Sequence, residues 1–310
     1  MTVHGRRLSA IIAATAAFAL GCSDQGPEIE ASLYGEVRTV GDHREQSVRI
    51  VADGDTLAGT LYLPATGTEL AAVAVSQGSA WTTRATWNQV SPFVEGLGVG
   101  VLSWDKRGFG ESQGTFTQLA DSANFAIQQV DLVAGARALL GASTIDGTRI
   151  GVLGTSQGGW IVPLAANTDR ANIAFGIVMI GGVISTGQDA LYDQLTGLTT
   201  CTRTSTPLAD INDQVYAAGP SGFDPRPGLE ELTQPTIWIY GGLDMSHSAD
   251  LSTRLLGEAD PQGTKPWTIV TLPNANHDLI ENGAICQETG PLADVVTPLL
   301  AWKADVIDGA

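Results

Sequence analysis

Arg149-Ile150-Gly151-Val152-Leu153-Gly154-Thr155-Ser156-Gln157-Gly158-Gly159-Trp160-Ile161-Val162-Pro163-Leu164-Ala165-Ala166 reads as an apolar β-type run, a glycine-rich turn and the opening of a helix. A serine lifted on such a turn stands above the edge of a sheet, and the glycines on either side make room where backbone segments crowd. The amide of Gln157 then lies at a helix start, where unpaired N–H groups favour developing negative charge. A second Gly-x-Ser-x-Gly, Gly110-Glu111-Ser112-Gln113-Gly114, follows the charged run Asp105-Lys106-Arg107-Gly108, with no strand leading in and no helix directly behind. With 37 glycines in the chain the motif alone is cheap, so context decides for Ser156 and against Ser112.

On either side of this stretch the apolar runs 71–75, 98–104, 149–153, 174–180, 236–240 and 267–272 alternate with helix-length segments, the pattern of a mostly parallel sheet with helices on both faces. Two alternating runs, 47–51 and 57–63, flank Asp53-Gly54-Asp55 and read as an antiparallel hairpin ahead of that sheet, which makes eight strands. Ile127, Val130, Ala134 and Ala138, at spacings of three and four, mark a helix immediately before the Ser156 strand. Residues 185–230 break the rhythm with Pro207, Gly219-Pro220 and Pro225-Arg226-Pro227 and read as a cap-like insertion over the C-terminal edge of the sheet.

A serine hydroxyl needs a base, and the base needs a carboxylate to orient it. Of the four histidines, His4 and His43 lie in the leader and tether. His277, in Pro273-Asn274-Ala275-Asn276-His277-Asp278 directly after the last strand, is the candidate base, and His247 reads as an exposed helix-start residue. Asp244, in Tyr240-Gly241-Gly242-Leu243-Asp244, emerges from the preceding strand as the candidate acid; Asp250 falls inside the next helix pattern, and Asp278 is too close in sequence to orient the ring. The order Ser156, Asp244, His277 is that of α/β-hydrolases. The loop Ser76-Gln77-Gly78-Ser79-Ala80 after an early strand offers the Ser79 amide as a second oxyanion donor beside that of Gln157.

From about residue 45 onward the chain resembles the bacterial serine carboxylesterases of the α/β-hydrolase superfamily, relatives of dienelactone hydrolases and of prolyl-oligopeptidase-type catalytic domains. The resemblance rests on Gly78-Ser79, Asp105-Lys106-Arg107-Gly108-Phe109-Gly110-Glu111-Ser112, Gly154-Thr155-Ser156-Gln157-Gly158-Gly159, Gly242-Leu243-Asp244 and Asn276-His277. It implies an α/β-hydrolase fold and ester hydrolysis through an acyl-enzyme. One departure is Gln77, which stands where the family usually has histidine before the oxyanion-loop glycine. Asp105 and Arg107 read as a structural ion pair, and Trp81, Trp87 and Trp160 either line an acyl site or simply pack.

The first 21 residues, with Arg6-Arg7, an apolar stretch and Ala19-Leu20-Gly21-Cys22, have export-signal architecture too short for a comfortable membrane span and resemble a bacterial lipobox with Cys22 as the acylated residue. Residues 22–44 read as an acidic tether and 45–310 as the hydrolase domain. The expected location is therefore the cell envelope, anchored by lipid at Cys22; secretion into the periplasm or medium is the alternative. A net charge of −17 repels polyanions and argues against nucleic acid as a partner. Neither Cys-x-x-Cys nor His-x-x-x-His occurs, so no metal or cofactor is implied, and the expected partner is a small ester with an acyl group of about two to six carbons. A peptidase is the alternative enzyme, and a non-catalytic surface lipoprotein the alternative from another class. Cys201 in the insertion and Cys286 beyond His277 form an even pair in an oxidising compartment, where a disulfide is expected and two separate buried thiols are the other reading.

Overall fold

The computed structural model describes residues 32–79, 83–84, 92–116 and 120–309. Leader, lipobox, Cys22, Ala80, Trp81 and Trp87 lie outside the described residues. Among the described residues no helix is long and apolar enough to cross a membrane.

A nine-stranded sheet runs in the order β1-β2-β3-β5-β4-β6-β7-β8-β9. The antiparallel part is β1 (Leu33–Val40), β2 (His43–Ala52) and β3 (Asp55–Pro64), which pairs with β5 (Gly100–Trp104). From there β4 (Leu70–Ser76), β6 (Ile145–Thr155), β7 (Phe175–Met179), β8 (Thr236–Gly241) and β9 (Trp267–Leu272) are parallel. The expected hairpin and all six expected strands are present.

The ninth strand corrects the tether. Residues 33–44, read as acidic tether, form β1 and the start of β2, so His43 lies in the sheet. The strand is illegible because residues 35–40 are exposed on both faces of the sheet, Val37 and Val40 at 42% and 43%, so no apolar alternation marks it.

Period-two alternation divides the core. Ala72 and Ala74 of β4 and Trp238 and Tyr240 of β8 pack on one face, under α1 (Ser122–Leu140), α2 (Gln157–Thr168) and α6 (Ala249–Ala259). Val73, Val75, Ile237 and Ile239 pack on the other, against the helical turn Pro92–Leu97 and α7 (Val296–Val306). In α1 the buried face runs through Phe125, Leu132, Ala136 and Leu139, whereas Ile127, taken as part of the apolar stripe, is 42% exposed.

Between β7 and β8, residues 185–230 hold α3 (Thr186–Thr196), α4 (Leu208–Ala218) and α5 (Arg226–Glu231). Ser185 caps α3 by accepting from the Gln188 amide, and Gly197 in the left-handed region ends it. Tyr192 and Val215 join the same core as α2, so these helices are packed on the domain rather than hanging from it.

Candidate active site

Ser156 sits between β6 and α2 with φ 50° and ψ −120°, a conformation costly for a residue with a Cβ. The surrounding backbone holds it there. Its amide donates to Met179 O at 3.0 Å. A Cβ at Gly158 would lie 1.9 Å from Ser76 O, and one at Gly154 2.2 Å from Gly158 O, so both positions require glycine.

Strands β8 and β9 deliver the other two residues at the same sheet edge. His277 Nε2 lies 3.1 Å from Ser156 Oγ, and His277 Nδ1 lies 2.9 Å from Asp244 Oδ2. A carboxylate only accepts, so Nδ1 carries the hydrogen and Nε2 is left to accept from the serine. Asp244 is buried, and its other oxygen accepts from the amides of Ser246 (2.7 Å) and His247 (2.9 Å). Burial pushes the Asp244 pKa up, but His277, His247 and these amides outweigh it, and the group is held below the usual carboxylate range. For His277, 25% exposed, burial lowers the pKa while Asp244 raises it more, leaving it above ordinary imidazole.

The Ser76-Gln77-Gly78-Ser79 loop abuts the serine, for a Cβ at Gly78 would lie 3.3 Å from Ser156 Cβ. Gln77 Nε2 donates to Ser103 Oγ (3.0 Å) and Trp104 O (3.3 Å), tying this loop to the end of β5. Lys106 donates to Gly78 O, and its burial lowers its pKa to about 7. On the other flank, Gln128 Nε2 donates to Gln157 Oε1 at 3.3 Å. A small open pocket lies between α1 and the ends of β4 and β5; Gln77, Lys106 and Gln128 line it, and Ser156, Asp244 and His277 do not. Among the described residues no cluster of His, Cys, Asp and Glu is placed to hold a metal.

Other expectations sort themselves by contact. Ser112 donates to Asp105 O (2.6 Å) and accepts from Ala58 N (2.9 Å), a loop-building role, whereas the hydroxyl facing His277 is that of Ser156. Asp105 and Arg107 are not paired with each other: Asp105 pairs with Arg84, and Arg107 with Asp131 and Asp55. Lying two apart on one loop, their side chains diverge to different neighbours. Trp160 is 3% exposed and stacks on Phe125, donating Nε1–H to Ile184 O at 2.8 Å, so it packs. His247 is also 3% exposed, not the surface residue expected, because α3 of the insertion covers it. Cys201 and Cys286 are joined in the expected disulfide.

The sequence marks Asn276 as the neighbour of His277 and gives it no role of its own. Its buried side chain accepts from the amides of Asp278 and Ile280 and donates to Ala284 O and Gln287 O, holding the loop that carries His277. Its place next to the histidine was the one available signal.

Several solved structures share this fold. An esterase of Pyrococcus furiosus superposes with a TM-score of 0.61 at 17% identity, covering 91% of this chain and 100% of that one. Est1E from Butyrivibrio proteoclasticus, solved with ferulic acid bound, gives 0.57 at 18%, covering 84% and 99%. Acetyl xylan esterase 1 from Thermoanaerobacterium sp. gives 0.54 at 18%, covering 82% and 83%. No curated protein matches the chain in sequence. Residues 85–306, more than half of its length, match the prolyl oligopeptidase family. The chain, with its α/β-hydrolase sheet, belongs to the prolyl oligopeptidase family.

Proposed function

We propose that this protein is a serine carboxylesterase acting on small esters, working through Ser156, His277 and Asp244. The observation that carries the reading is the relay of 3.1 Å and 2.9 Å contacts from Ser156 through His277 to Asp244, with the serine on a strained turn at the sheet edge. His277 Nε2 takes the Ser156 proton as Oγ attacks the ester carbonyl. The tetrahedral oxyanion is received by the amides of Ser79 and Gln157, each donor contributing about 3 kcal/mol in the transition state. Collapse breaks the carbon–oxygen bond, the alcohol leaves with the proton from His277, and water repeats the sequence on the acyl-enzyme to release the acid. Asp244 fixes the tautomer and stabilises the imidazolium throughout.

Esters are favoured over peptides because structures of the same fold include an esterase and an acetyl xylan esterase, and because the insertion of three short helices suits a short acyl group of about two to six carbons. The family match favours a second reading, a peptidase. Hydrolysis of a p-nitrophenyl ester chain-length series beside aminoacyl anilides, with wild type and Ser156→Ala, separates the two. Esterase action requires ester turnover that peaks at short acyl chains and vanishes in Ser156→Ala; faster turnover of the anilides would establish the peptidase. We further infer export with lipid at Cys22, supported by the leader and the Ala19-Leu20-Gly21-Cys22 sequence. Loss of membrane association in Cys22→Ser tests it.

A further inference from the structure

A second histidine–aspartate pair stands directly behind the first. His247 Nδ1 lies 2.8 Å from Asp189 Oδ1. Both side chains are largely buried, 3% and 13% exposed, and neither ring nitrogen of His247 has an aligned hydrogen bond. The His247 ring meets His277 edge to face at 5.3 Å between centroids and packs on Trp160 at 5.3 Å. These two rings fix it in place, and its own amide holds Asp244.

We propose that His247 is a positioning residue for ester hydrolysis: a buried imidazolium, paired with Asp189 of the insertion, that buttresses the His277 ring and opposes its protonation. The proposal rests on the esterase reading above.

The charges around His247 decide its sign. From α3 it faces Asp189 and Asp193, from its own loop Asp244, and from the loop after β9 His277 with Asp278 alongside; α2 offers only the neutral Trp160 ring. Burial pulls the His247 pKa down, but the Asp189 and Asp244 carboxylates carry it up to about 9. Asp193 is itself pushed up to about 7 by burial and by Asp189, so it adds less negative charge at neutral pH than its place suggests. A positive ring beside His277 works against the rise that Asp244 imposes, which leaves His277 free to accept a proton at lower pH than the Asp244 pair alone would allow. The helix bearing Asp189 is latched at the same place by Tyr192 OH donating to Asp244 O (3.2 Å) and Thr196 Oγ1 to Met245 O (2.7 Å), so the insertion, the acid loop and the base form one unit.

Two measurements test it. In the wild-type protein with ring-labelled histidine, NMR titration should show His247 still protonated at pH 7.5, and in Asp189→Asn the His247 midpoint should fall by at least about one pH unit. In His247→Gln the acidic limb of kcat/KM for a p-nitrophenyl ester should move up by about half a unit or more, with kcat reduced and KM little changed. A His247 neutral at pH 7.5 in the wild type, or a folded His247→Gln with an unmoved acidic limb, overturns the proposal. If His247→Gln does not fold, the wild-type and Asp189→Asn titrations decide. Full activity in Ser156→Ala would instead sink the esterase reading while leaving the histidine titrations interpretable.

Discussion

Cys201 and Cys286, 85 residues apart in sequence, are joined by a disulfide that links the insertion to the loop after β9. The first ends the 3-10 turn after α3, and the second lies in the loop that begins at His277. The bridge therefore ties the helix that touches the Asp244 loop to the segment that carries the histidine, in addition to the contacts of Tyr192 and Thr196.

Closing so long a loop restricts the unfolded chain and contributes about 4.6 kcal/mol in the chain-entropy account. Cys201→Ser/Cys286→Ser should lower the melting temperature by several degrees and lower kcat, since the His277 loop loses one of its ties. Calorimetry and ester kinetics with and without reductant check this; an oxidised wild type no more stable than the double variant would refute the contribution.

The two serine motifs separate cleanly by substitution. Ser156→Ala should remove about six orders of magnitude in kcat, as removal of a triad nucleophile does. Ser112→Ala frees a backbone carbonyl at Asp105 and an amide at Ala58, which costs about 1–3 kcal/mol of stability but leaves most activity. A folded but inactive Ser112→Ala would show that the assignment of the nucleophile is wrong.

His277 makes the reaction pH-dependent with a defined sign. Asp244 holds its pKa above the ordinary 6.5, and the protonated ring cannot accept from Ser156, so kcat/KM should rise with pH through a midpoint above 6.5. Asp244, held low by His277 and its amide donors, stays ionised over that range and adds no second limb. In Asp244→Asn the midpoint should fall and kcat drop by about 10⁴. A wild-type midpoint well below 6.5 would contradict the pairing.

The parts of this site that sequence exposes are those set by local chemistry. The Gly154 to Gly158 turn is readable because only glycine fits against Ser76 O and the turn's own backbone, and Asp244 and His277 are readable because each follows an apolar run that ends at the same sheet edge. What stays hidden depends on partners distant in sequence. Arg107 chooses Asp131 and Asp55 over Asp105, and His247 becomes a core residue only when α3 folds over it with Asp189. Strand β1 carries no internal signal because its residues 35–40 are exposed on both faces of the sheet, and Asn276 looks like any loop asparagine until its four partners are in place.

Gln77 gives the last test. Its side-chain amide reaches Ser103 Oγ and Trp104 O, two groups at the end of the neighbouring β5. Those bonds cross from the loop after β4 to a rigid strand, while Lys106 holds the Gly78 carbonyl of the same loop. Gln77→Ala removes the first tie without touching Ser156, His277 or Asp244, so the Ser79 amide should lose its aim while the substrate still binds. A misplacement of about an ångström costs on the order of a hundredfold in rate. The expected result is a kcat lower by about ten- to a hundredfold with KM little changed, and partial recovery in Gln77→His. Steady-state kinetics on a short-chain p-nitrophenyl ester reads this out, and an unchanged kcat in a folded Gln77→Ala would show that the loop is held by other contacts.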